Sequence, residues 1–147
     1  MISTRNTVIV DGPVDAVWAD LADIESHPEW MVDVAAIRLI PPGGVQVGSS
    51  YEVDSRVGPF RLKDELEIVE LQPGQTLAVR RNGAVSGEGR FTVEAVSAQQ
   101  TRVTRSMLLG FPWWMGGAVG EVAAQPILRM LFQANLRAFA ARHAAGR

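Results

Sequence analysis

The stretch Val8-Ile-Val-Asp-Gly-Pro-Val-Asp-Ala-Val-Trp-Ala-Asp-Leu-Ala-Asp-Ile-Glu-Ser-His-Pro-Glu-Trp30-Met31 decides the fold. It reads as a strand, a helix and a second short helix. The strand stops at Asp11-Gly12, and Pro13 sits where the first helical turn has no use for an N–H. Val14, Val17, Trp18 and Leu21 then recur at the i, i+3, i+4, i+7 spacing of one helical face. Ser26 and Glu29 have the spacing of a capping box, which predicts a second helix opening at Ser26 with Pro28 in its first turn. Trp30 and Met31 project from its end.

From Ala35 to Gly110 the texture becomes alternating, broken by turn chemistry at Pro41-Pro42-Gly43-Gly44, Gly58-Pro59, Pro73-Gly74, Asn82-Gly83 and Ser97-Ala98-Gln99-Gln100. Five runs place their apolar residues on one face at period two: Tyr51-Val53-Ser55-Val57, Phe60-Leu62-Asp64-Leu66-Ile68, Leu77-Val79-Arg81, Gly87-Gly89-Phe91-Val93-Ala95 and Val103-Arg105-Met107-Leu109. The other face carries Glu52, Asp54, Arg56, Lys63, Glu65, Glu67, Glu88, Arg90, Glu94, Arg102 and Thr104, the pattern of an antiparallel sheet covered on one side only. Its cover is predicted at the end of the chain. From Gln125 to Arg142, Ile127, Leu128, Leu131, Phe132, Leu136 and Phe139 form a broad apolar stripe, with Arg129, Gln133 and Arg137 on the wet side. Pro126 either opens this helix or lies within a longer one that begins near Trp113.

The Val-Trp helix and the His27-Pro-Glu-Trp30 turn resemble the N-terminal segment of the polyketide cyclase/dehydratase and lipid-transport family. That family belongs to the START-like (SRPBCC, pollen-allergen-like) superfamily. The order of strand, two short helices, six strands and long helix extends the resemblance over the whole chain. It implies an α+β helix-grip fold: an antiparallel sheet of about seven strands, with a long C-terminal helix over its concave face. Residues 1–147 are expected to form one such domain, a size that buries roughly 70% of the unfolded surface.

Composition narrows the function classes. The 14 basic and 16 acidic residues give a formal charge of −2 with no basic block, so no nucleic-acid footprint is present. Cysteine is absent, which excludes disulfides and thiolate metal sites and fits a reducing compartment; a cytoplasmic location is expected. The first residues lack the layout of a signal peptide. The uncharged stretch Met107 to Gly120 has 14 residues with Pro112 and four glycines, too short and broken for a bilayer span. His27, in its capped turn, and His143, near the C-terminus, are the only histidines and do not form a metal pair. No metal or cofactor site is indicated, and the cavity is expected to lack a histidine.

The resemblance implies a cavity between sheet and helix that takes a small hydrophobic molecule such as a lipid, fatty-acyl or polyketide-like compound. Alternation places Asp64 and Arg105 on the apolar face, and Arg81 if its strand keeps register. Buried charges persist only when paired or hydrogen-bonded, and one bulge would return each to solvent. The Pro73-Gly74 hairpin brings Asp64 and Arg81 onto neighbouring strands, and the Ala98-Gln99-Gln100 turn is expected to set Arg105 opposite Val93. Such groups would orient a ligand carboxylate, carbonyl or phenol. Trp30, Trp113 and Trp114 form a second constellation. The apolar, glycine-rich segment 110–117 reads either as a lip touching a membrane or protein partner, or as a plug folded into the cavity. Tyr51, Phe91, Met107, Leu131 and Asn135 are further candidates for the ligand wall. A carrier that performs no chemistry, a polyketide cyclase or dehydratase, and an accessory protein of a membrane complex are the three readings this leaves.

Overall fold

The computed structural model describes residues 1–40, 45–57 and 59–144. The turns expected at Pro41–Gly44 and at Gly58, and the facing of the Val57 and Phe60 side chains, lie outside what is described. The chain runs β1 (Ile2–Asp11), α1 (Val14–Ala22), a 3₁₀ helix (Ile24–Glu29), β2 (Val34–Ile40), β3 (Ser50–Val57), β4 (Phe60–Gln72), β5 (Thr76–Asn82), β6 (Ser86–Ser97), β7 (Gln100–Gly110), a 3₁₀ turn (Trp113–Met115) and α2 (Gly117–Ala144). The strands form one antiparallel sheet in the order β1-β7-β6-β5-β4-β3-β2. β2 to β7 follow one another as hairpins, and β1 closes the far side by pairing with β7 from Ile2↔Leu109 to Asp11↔Gln100.

β1 is an edge strand, and α2 covers it. Gln125 and Gln133 donate side-chain amides to the Ser3 and Thr7 carbonyls at 3.3 and 3.1 Å, and Asn6 Nδ2 donates to the Arg129 carbonyl at 3.2 Å. The row of carbonyls that an open edge would present to another chain is thereby occupied. Gln133, expected on the wet side, is half-buried by this contact. At the other end of α2, Arg142 pairs with Asp20 at 2.9 Å and Glu29 at 3.3 Å, and His143 reaches Asp20 at 3.0 Å, fastening the helix to α1.

Two apolar clusters fill the space under α2. Val10, Val17, Leu21, Ile24, Trp30, Val103, Leu136 and Phe139 belong to the larger; Ile2, Leu62, Val85, Met107, Leu109, Met115, Leu128 and Phe132 make the smaller. Leu136 and Phe139 are completely buried, and burial of side chains of this size stabilises by roughly 1.5–3 kcal/mol each. The solvated face carries the cross-strand ion pairs Arg38–Glu52, Arg80–Glu88, Arg90–Glu70 and Arg102–Glu94.

Three sequence expectations change here, and the choice left open at Pro126 is settled for the longer helix. Ser26 does not cap a helix: only Asp23 separates α1 from the 3₁₀ helix, so Ser26 lies inside that helix and its hydroxyl donates back to the Asp23 carbonyl at 2.6 Å. Pro126 does not open α2; it lies ten residues into a helix that begins at Gly117. Ile127 is exposed, because the buried line along α2 runs through Leu128, Phe132, Leu136 and Phe139. Arg105 stands opposite Phe91, not Val93, since the β6–β7 turn closes with a bulge at Ala95/Ser97 that moves the ladder.

Candidate functional site

Where the two clusters meet, a cavity of about 60 Å3 is left, lined among others by Ile24, His27, Met31, Asp33, Val53, Arg81, Gly89, Phe91, Arg105, Met107 and Phe132. Every sheet strand from β2 to β7 contributes a side of it, and Phe132 of α2 closes the top. A methyl on Gly89 would lie 2.9 Å from the Met107 sulfur, so a side chain there would displace Met107. The space suits a few water molecules and is well below the roughly 300–1,000 Å3 of pockets that enclose a ligand. An occupant must therefore push side chains aside, and the unbranched Met31 and Met107 are the ones that yield most cheaply.

Asp64, Arg81 and Arg105 all lie on the inner face. The bulge in β4 falls between Ile68 and Glu70, beyond Asp64, so the alternation through Asp64, Leu66 and Ile68 is unbroken. Asp64 Oδ2 accepts from Arg81 Nε at 3.1 Å and Oδ1 from the Ala84 N–H at 3.0 Å; Arg81 also donates to the Ser55 hydroxyl. Gly83 makes this possible. Its φ is +153°, and a methyl on it would sit 1.8 Å from Asp64 Oδ1. With both oxygens engaged, Asp64 holds Arg81 at the cavity wall and does not itself line the cavity.

Arg105 differs. It is 6% exposed, yet among the described residues its Nε and Nη1 have no hydrogen-bond partner. Its guanidinium is clasped between the Phe91 and Phe132 rings, 5.2 and 4.6 Å from their centroids. Cation–π contact offsets part of the cost of removing the charge from water, but it leaves the N–H groups unused. Burial pulls the Arg105 pKa down to about 10, opposed by the Asp33 carboxylate, so the side chain is still a cation at neutral pH. Asp33 is itself placed by Asn135, whose Nδ2 donates to it at 2.7 Å while Asn135 Oδ1 accepts from the Val32 N–H at 3.1 Å.

His27 was expected away from the cavity and lines it instead. In a 3₁₀ helix residues three apart eclipse, so Ile24 and His27 share the inward face. Its Nε2 lies 2.8 Å from the Leu21 carbonyl. A carbonyl only accepts, so Nε2 carries the proton and Nδ1 keeps its lone pair. Burial, together with the nearby Arg105 charge and against the Leu21 hydrogen bond, lowers its pKa to about 4. The ring is therefore a neutral imidazole at pH 7.

The remaining candidates divide. Phe91 and Met107 line the cavity. Trp30 does not join Trp113 and Trp114; it is buried against His27, Phe91 and Phe139, at ring separations of 5.0, 6.2 and 5.0 Å. Tyr51 is buried in the larger cluster, off the cavity. Asn135 positions Asp33 and is not in the wall. Leu131 is half-buried and faces an outer groove with Phe111, Met115 and Ile127. Trp113 is 87% exposed and Trp114 is also exposed, so the segment does not plug the cavity. The sequence signals for His27 and Phe132 are the Ile24–His27–Met31 spacing and the α2 stripe; none points to Asp33. Among the described residues, no group of three or more His, Asp or Glu side chains is placed to hold a metal ion.

A sequence model of the family described as polyketide cyclase/dehydrase and lipid transport matches residues 1–144. The chain belongs to that family. No curated protein sequence gives a significant match. Among solved structures, this polyketide cyclase/dehydrase and lipid transport family member is similar to the Zhui aromatase/cyclase from Streptomyces sp. R1128, with a TM-score of 0.73 at 18% identity over 97% of this chain and 93% of that one. It is also similar to a START superfamily protein from Mycobacterium smegmatis (TM-score 0.75, 12% identity, 100% of both chains). A conserved protein from Geobacillus kaustophilus gives a TM-score of 0.77 at 16% identity, over 98% and 96%. These likenesses fix the seven-stranded α+β fold of the START superfamily. Within that fold, no described helix is long and apolar enough to cross a membrane.

Proposed function

We propose that the protein binds a small, largely apolar molecule bearing one carboxylate, carbonyl or phenol, with that group on Arg105 and the apolar body among Phe91, Met107 and Phe132. The observation that carries this is the pair of partnerless N–H donors on a buried guanidinium that lines the cavity. Buried donors without partners are rare and costly, about 1–3 kcal/mol each. A ligand oxygen removes that cost. Arg81, held by Asp64 at the same wall, is the second polar contact. Exchange of the ligand with a membrane or protein partner would pass through the segment 110–117.

Naphthoic acid and its methyl ester serve as probes. Arg105→Leu should weaken the acid by roughly 1.5–3 kcal/mol, the value of hydrogen bonds to a charged group, and the ester, whose carbonyl is a neutral acceptor, by clearly less. Equal losses for both would reduce Arg105 to a shaping residue and remove the proposal.

A second reading, a polyketide cyclase or dehydratase, is favoured by one observation. His27 offers a neutral imidazole at the wall that Arg105 also lines. A base of this kind would take a proton next to a carbonyl whose developing negative charge Arg105 stabilises. His27→Phe should then abolish turnover of a polyketide substrate while retaining binding; loss of binding alone would leave the carrier reading.

A further inference from the structure

Among the described residues, nothing packs on the outer face of the first half of α2. Val119, Val122, Ala123, Pro126, Ile127 and Met130 follow the i, i+3, i+4, i+7 spacing of a helical stripe, and all point to solvent. The four large ones are 66–80% exposed. At 1.5 Å per residue this stripe is about 16 Å long. In sequence it follows the exposed Trp113 and Trp114, and its Ala123 and Ile127 line a groove shared with Arg56 of β3. Isolated exposed apolar residues need no explanation, but a continuous row of this size does.

Charge identifies the occupant. Arg56 and Arg61 are direct cross-strand partners in the β3–β4 ladder, both exposed. Like charges set opposite one another destabilise a sheet, and among the described residues neither has an acidic partner. Arg129, beside the stripe, and Arg137, beyond its end, are exposed in the same way. The acidic residue on this part of α2, Glu121, is occupied by the Met1 amino group at 2.7 Å and the Phe111 N–H at 2.9 Å. A symmetric contact between two copies would bury these cations without counter-charges. A surface that is apolar beneath and anionic at its headgroups satisfies both the stripe and the arginines, with tryptophans at the level where they are enriched. We propose that this face docks on an anionic lipid bilayer, the arginines on lipid phosphates and the stripe with Trp113 among the upper acyl chains. Nothing in this depends on what the cavity holds.

Co-sedimentation of the full chain with vesicles of phosphatidylcholine, alone or mixed with phosphatidylglycerol, tests it. Pelleting is expected with the mixed vesicles only, and is expected to weaken as salt is raised. Arg56→Gln with Arg61→Gln should weaken it about fivefold per arginine, and Ile127→Ser with Met130→Ser should abolish it. All four positions are exposed, so no loss of thermal stability is expected in the variants. Arg105→Leu should pellet like the parent, which separates this proposal from the cavity reading. Absence of pelleting, equal pelleting with both vesicles, or retention by the arginine variant overturns it. So does a concentration-dependent dimer abolished by Ile127→Ser without vesicle binding, which would give the face to a second copy.

Discussion

Replacing Asp64 by alanine should destabilise the folded protein. Asp64 is buried, accepts Arg81 Nε at 3.1 Å and the Ala84 N–H at 3.0 Å, and lies against Gly83. Loss of the charge-assisted bond costs about 1.5–3 kcal/mol, and leaving the Ala84 N–H without an acceptor adds about 1–3 kcal/mol. Because Arg81 keeps its bond to Ser55 and retains some access to solvent, the lower half of that sum applies, about 3–4 kcal/mol, within the range for breaking a buried pair. Urea unfolding followed by tryptophan fluorescence measures it. Asp64→Leu combined with Arg81→Leu should recover most of the loss, since no uncompensated charge then remains. A cost below about 1 kcal/mol for Asp64→Ala, the range of a surface site, would refute the reasoning, as would a double variant less stable than the single one.

Stability should also report His27. Above pH 6.5 the imidazole is neutral in both states and contributes nothing; as pH falls, the unfolded chain takes up the proton near 6.5 while the folded one resists until about 4. Stability is therefore lost by about 3 kcal/mol between those values, and a His27→Gln variant followed by denaturant melts should flatten that part of the curve. Along α2, Leu136→Ala should cost about 2–5 kcal/mol at a fully buried site, whereas Leu131→Ala, half-buried on the outer groove, should cost less than half as much; equal costs in urea melts would place the core line wrongly. Acrylamide quenching should fall sharply in Trp113→Phe and hardly at all in Trp30→Phe, given their opposite exposures.

Strand alternation was sufficient to bring Asp64, Arg81 and Arg105 to one face because the bulges at Ile68/Glu70 and Ala95/Ser97 fall outside the runs that carry them. The same bulge at Ala95/Ser97 hid the cross-strand partner of Arg105, since register depends on how the turn closes and side-chain facing does not. His27 was missed for a different reason. Its segment was read as a capped α-helix beginning at Ser26, whereas three residues per turn from Ile24 aim His27 inward with Ile24. Trp30 was grouped with Trp113 and Trp114 on residue type alone; position separates them, one under α2 and the others on the rim before it. The pairing of Asn135 with Asp33 spans 102 residues, a distance across which no local pattern speaks.

In the proposed function, the unpartnered donors of Arg105 take a ligand oxygen in the cavity. The proton resonance of Arg105 Nε–H, assigned by its absence in Arg105→Leu, tests this directly when naphthoic acid or its methyl ester is added. A large downfield shift is expected with the acid, as the N–H gains a charged acceptor, and a small one with the ester. An unchanged Arg105 resonance while the Gly89 amide on the same wall shifts would show the ligand bound without Arg105, and would contradict it.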